Sequence, residues 1–109
     1  MDELLARATR GSRLSKAVGS LSSLTSLVLY GNKLTHLPES LCSLAALTHL
    51  NVRNNRLVYL PAALGACTSL VHLNVRSNSL VALPSSIGRC GKLELLNAAD
   101  NALVQLTPA

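Results

Sequence analysis

The sequence contains no phenylalanine and no tryptophan, and only two tyrosines in 109 residues. An interior without large aromatic rings has to be filled by aliphatic side chains, and leucine is the residue on offer. The same shortage leaves few platforms for stacking unpaired bases, which argues against single-stranded nucleic acid as a partner. Acidic residues are scarce as well, five against ten Lys and Arg, giving a net charge of +5. No G-x-x-x-x-G-K phosphate loop is present, and no Ser, His and carboxylate set converges, so nothing in the sequence points to catalysis. No apolar run approaches the roughly 20 residues that span a membrane. The first 18 residues, MDELLARATRGSRLSKAV, interrupt their apolar stretches with charge and do not read as a secretory signal. Three cysteines are an odd count and fit small buried hydrophobes in a reducing compartment better than a disulfide framework.

What the sequence does have is a repeat. LTSLVLYGNKLTHLPESLCSLAA from Leu24 to Ala46 recurs as LTHLNVRNNRLVYLPAALGACTS from Leu47 to Ser69 and as LVHLNVRSNSLVALPSSIGRCGK from Leu70 to Lys92. Asn32, Asn55, Asn78 and Asn101 stand 23 positions apart, and Pro38, Pro61 and Pro84 keep the same interval. A constant period of this size marks a solenoid, each copy forming one coil that neighbours must cover.

Around Leu27 to Leu29 apolar residues alternate with variable ones, as in a half-buried strand. Equivalent strands are expected around Leu50 to Val52, Leu73 to Val75 and Leu96 to Ala98, paired in parallel. A second apolar set, such as Leu57, Leu60 and Leu64, closes each coil. The asparagine column is expected to turn inward and bond backbone groups of its own and the adjacent coil, which a tight bend leaves without partners. The prolines preset φ for the turn to the convex side. Gly65 and Gly88, four residues later, are expected at positive φ where a short helical turn ends. Cys42 occupies their column in the first copy and is expected to be the most reactive thiol. Cys67 and Cys90 share an apolar convex column with Leu44 and Leu21.

The spacing L-x-x-L-x-L-x-x-N-x-L, carried by Leu24, Leu27, Leu29, Asn32 and Leu34 and continued by Leu37-Pro38-x-x-Leu41, resembles the leucine-rich repeat family and its 23-residue intracellular class. The resemblance implies an α/β solenoid with short parallel strands on the concave face and turns or short helical turns on the convex face. It also implies binding rather than chemistry. The paired-cysteine caps of extracellular members are missing. Residues 1–23 are expected to form a degenerate N-terminal capping repeat: Leu4 and Ala6 align with Leu27 and Leu29, while Thr9 replaces the asparagine. A short amphipathic helix over Asp2 to Thr9 is the alternative. Residues 24–92 form three full repeats, and residues 93–109 a truncated fourth.

Variable residues between the strand leucines should project from the concave face. Read across coils, one column runs Arg7, Tyr30, Arg53, Arg76, Ala99. Others run Leu5, Val28, Asn51, Asn74, Asn97 and Glu3, Ser26, His49, His72, Leu95. Lys33 and Arg56 lie in a loop-side column. From the second to the fourth coil this face carries no carboxylate. The expected site is therefore Tyr30, Lys33, His49, Asn51, Arg53, Arg56, His72, Asn74 and Arg76, binding an acidic or phosphorylated protein. No catalytic residue, cofactor or metal is expected; His49 and His72 are neighbours but lack third and fourth ligands. Two alternatives stand beside this reading. The chain is the recognition segment of a larger kinase-type or GTPase-type signalling enzyme, or it self-associates through its C-terminal edge. The expected location is intracellular and cytoplasmic.

Overall fold

The computed structural model describes residues 3–4, 9–10, 13–14, 16–31 and 33–103. Among the described residues seven short strands occur in chain order: β1 (Glu3–Leu4), β2 (Thr9–Arg10), β3 (Arg13–Leu14), β4 (Ser26–Val28), β5 (His49–Asn51), β6 (His72–Asn74) and β7 (Leu95–Asn97). Five form one parallel sheet in the order β1-β4-β5-β6-β7, while β2 and β3 pair antiparallel. The repeat sets the register. Glu3 opposes Ser26, Ser26 opposes His49, His49 opposes His72, and His72 opposes Leu95. The strands begin one residue earlier than the sequence suggests, but the ladder runs on past them. Leu29 donates to the Asn51 carbonyl at 2.8 Å, Val52 to that of Asn74 at 2.9 Å, and Asn54 to that of Arg76 at 2.9 Å. Glu3–Leu4 and Thr9 are extended, which does not suit a helix over Asp2 to Thr9.

Between strands the chain returns through 3-10 turns at Lys16–Ser20, Glu39–Ser43, Leu64–Ala66 and Ser85–Arg89. Pro38 and Pro84 precede two of these with φ of −74° and −66°, inside the range their rings impose. Packed between sheet and turns is a core of leucines: Leu27, Leu29, Leu34, Leu41, Leu44, Leu47, Leu50, Leu57, Leu64, Leu70, Leu73 and Leu80 are fully enclosed. Each side chain so buried contributes about 1.5–3 kcal/mol relative to exposure, and no single coil could enclose them.

The asparagine column stitches the coils together as expected. Asn55 accepts from Leu34 N–H at 2.9 Å and donates to the carbonyls of Leu29 at 3.0 Å and Val52 at 2.8 Å. Asn78 accepts from Leu57 N–H and donates to Val52 and Val75. Asn101 repeats the pattern with Leu80, Val75 and Ala98. Each side chain thus joins its own strand end to the coil before it. Asn32 lies outside the described residues. Immediately before each ladder asparagine the backbone turns left-handed: Gly31, Asn54, Ser77 and Asp100 have φ of 72°, 55°, 58° and 56°. Gly, Asn and Asp enter that region most readily.

Two expectations for the convex side are corrected. Gly65 and Gly88 do not have positive φ; Gly31 is the glycine that does. Gly65 is required for closeness instead, since a Cβ there would run into the backbone carbonyl of Ser86 in the next coil. The Ser86 hydroxyl uses that approach, accepting from Gly65 N–H at 2.9 Å and donating to the Ala62 carbonyl at 2.7 Å. Where Cys42 replaces glycine, the next turn is shortened to Leu64–Ala66. Leu21, aligned with buried Leu44, is 42% exposed. In the same column the Cys67 thiol reaches back to the Leu41 carbonyl at 3.6 Å.

All three cysteines are free and buried. Burial pushes the Cys42 thiol up to about 12, aided by neighbouring Cys67 and Glu39. Burial, then Cys90, raises Cys67 to about 11, and burial raises Cys90 as well. Cys42 is therefore not singled out for reactivity: it is as enclosed as Cys90, and its thiolate is held back by a carboxylate alongside.

Candidate concave-face binding site

Parallel pairing at a fixed offset turns each variable column into a row of stacked side chains. His49 and His72 face each other with ring centroids 4.6 Å apart and planes tilted by 39°. His49 Nδ1 also lies 2.8 Å from the Thr48 hydroxyl. Asn51 and Asn74 sit side by side, and each turns its carbonyl oxygen back onto its own chain. Asn51 accepts from Arg53 N–H at 3.2 Å, and Asn74 from Arg76 N–H at 3.1 Å. Asn97 repeats this with Ala99 N–H at 3.2 Å. These asparagines shape the backbone that carries the arginines, and half of each side chain is occupied in doing so.

The arginine column is bracketed by two groups of different kind. Arg53 lies over the Tyr30 ring, its guanidinium carbon 5.8 Å from the centroid, an attractive arrangement of cation and ring face. Arg76 donates through Nε to Asp100 Oδ2 at 3.2 Å, in a pair open to solvent. Such a pair contributes little to stability. Asp100 lies beyond the three coils expected to carry no carboxylate, yet it brings an acid onto their face. The carboxylate belongs to the coil after Arg76 and reaches back by one coil spacing. Its column, Gly31, Asn54, Ser77, Asp100, lies at the left-handed turn rather than on a strand, which is why reading the strand columns passed over it. Lys33 and Arg56 are both exposed in the loop that follows, without a hydrogen bond or ion pair from their side chains among the described residues.

The described residues of this face line two neighbouring hollows. One, of about 200 Å³, is bounded by His49, Asn51, His72, Asn74, Leu95 and Asn97 over buried Leu50 and Leu73. The other, of about 300 Å³, is bounded by Arg53, Asn54, Arg76 and Ser77. The sequence columns contain Leu95 and Asn97, but the expected site leaves both out; Leu95 follows the two histidines in register and is 53% exposed. Asn54 and Ser77 stand in none of the columns read from the sequence. No cluster of three or more metal-ligating side chains occurs among the described residues. Nor is any helix among them long and apolar enough to cross a membrane.

No curated protein matches the sequence at a significant level. Two profiles described as leucine rich repeat match residues 13–57 and 69–90. Among solved structures, a leucine-rich-repeat protein of Leptospira interrogans superposes with a TM-score of 0.83 at 36% sequence identity. The match covers 95% of this chain and 26% of that one, so this chain spans about a quarter of its length. Repeat spacing, the parallel sheet with its asparagine column and these matches agree: the chain belongs to the leucine-rich repeat family.

Proposed function

We propose that the chain is a protein-binding module of the 23-residue intracellular class, and that it engages an acidic or phosphorylated partner through its concave face without performing chemistry. Membership of the family supports protein–protein interaction in general. The observation that carries the finer reading is the pair Arg53 and Arg76, held on neighbouring strands by the ladder bond from Asn54 to the Arg76 carbonyl. Arg53 lies over the Tyr30 ring, and Arg76 engages Asp100 through one nitrogen. Guanidinium groups take carboxylate or phosphate bidentately, and a rigid sheet loses little entropy when it binds. Free, buried thiols suit a reducing compartment and support an intracellular, cytoplasmic location. Nucleic acid is not the intended partner, since Tyr30 is the one aromatic ring beside the arginines.

The experiment is retention of an acidic peptide mixture, with its phosphorylated counterpart, on immobilised protein at low and moderate salt. Wild type is compared with the double variant Arg53→Glu/Arg76→Glu. Wild type should retain both mixtures more strongly at low salt, because exposed charges are screened over about 8–10 Å near physiological ionic strength. The double variant should lose retention with an unchanged unfolding midpoint, since both side chains are exposed. Equal retention by both proteins contradicts the assignment.

The second reading, a recognition segment within a longer signalling protein, is favoured by one observation. The Leptospira relative continues for about three times the length matched here.

A further inference from the structure

The two concave hollows differ in chemistry and lie next to each other along the same strands. One contains the exposed Leu95 side chain and the two histidine rings. The other is lined by Arg53, Arg76 and the polar side chains of Asn54 and Ser77. Arg53 follows Asn51 by two residues and Arg76 follows Asn74 by two, at a strand rise of about 3.3 Å per residue. The first hollow centres on residues 50 and 73 and the second on residues 53–54 and 76–77, so their middles are separated by roughly 10–13 Å. An extended peptide places side chains i and i+4 on one face, about 13 Å apart.

Building on the proposed function, we infer that the preferred ligand is an extended segment pairing an apolar residue with an acidic or phosphorylated one, three residues lying between them. The apolar side chain enters the hollow beside Leu95, and the anion meets Arg53 and Arg76. Three features support this pairing over a purely acidic ligand. Leu95 is more than half exposed in a column otherwise polar, Ser26, His49 and His72. The histidine rings stand nearly in contact at 4.6 Å and offer a continuous wall next to it. Moreover, Asp100 already engages Arg76 through Nε, which leaves less of that guanidinium for the anion. Affinity from charge alone is then small, and the buried apolar contact supplies the remainder, as anchoring side chains in pockets generally do.

The test is a set of acetylated octapeptides, each carrying one leucine and one glutamate, with zero to five residues between them. Binding is read as fluorescence anisotropy with the full 109-residue chain. The three-residue spacing should bind at least tenfold more tightly than the same peptide with serine in place of leucine. Leu95→Ser should remove that tenfold preference while leaving the leucine-free peptide unaffected, and Arg53→Gln should weaken both. If all spacings bind alike, or Leu95→Ser changes nothing while Arg53→Gln still weakens binding, this inference fails and the basic-face reading survives. If no peptide binds, both are overturned.

Discussion

Asn55 performs at one position what the fold needs at every coil. It pairs a backbone N–H of the preceding coil and carbonyls on both sides of a bend. Asn55→Ala strands those buried groups at about 1–3 kcal/mol, a large share of the roughly 5–15 kcal/mol typical of a small domain. A clear drop in the denaturant midpoint is expected, and an unchanged midpoint would remove the ladder from the account. The thiols give a second prediction at this scale. Their ordinary value is 9.0, and the fold raises it to about 12 for Cys42 and about 11 for Cys67. Between pH 9 and 12 the unfolded chain therefore releases protons that the folded chain keeps, so stability falls as pH rises through that window. Unfolding midpoints measured at pH 8 and pH 10.5 should differ more in wild type than in Cys42→Ala. A thiol reagent at pH 8 should leave all three cysteines intact until the chain unfolds. Asn55 was legible in sequence because its column repeats at Asn32, Asn78 and Asn101. Asp100 was not, because an ion pair across coils leaves no trace in any one column.

At the scale of the element, the short convex turns show where a repeat pattern stops being informative. Pro38 and Pro84 could be assigned a torsional role in advance because proline has only one. Gly65 could not, since a glycine needed for torsion and a glycine needed for clearance look the same in sequence. Its partner, the Ser86 carbonyl, lies in the next coil. The strands, by contrast, were placed to within one residue, because alternation of leucine with polar residues fixes the face as well as the register. The contrast between two aligned glycines tests the packing. Gly65→Ala drives a methyl group into backbone and should cost about 1–3 kcal/mol by overpacking. Gly88→Ala meets nothing within 4 Å and should leave the thermal midpoint nearly unchanged. Equal losses at both sites would indicate that backbone torsion, not clearance, governs this column.

For the whole molecule, stability and recognition come from the same stacking. Neighbouring coils bury each other's leucines, and the register that achieves this also lines up His49 with His72 and carries Arg53 beside Arg76. The rows on the concave face are a by-product of the period, which is why the columns of the sequence show which side chains stand next to one another. They did not show how each side chain is engaged, because that depends on contacts between coils: Tyr30 under Arg53, Asp100 against Arg76, and Leu95 closing the histidine row. The measurement that tests the account most directly is amide chemical-shift mapping of the labelled protein during titration with an acidic peptide. The account predicts shifts concentrated on residues 49–54 and 72–77, the strands β5 and β6 with the loops that follow, fading as salt is added. Shifts centred instead on the convex turns at Glu39–Ser43, Leu64–Ala66 and Ser85–Arg89 would contradict it.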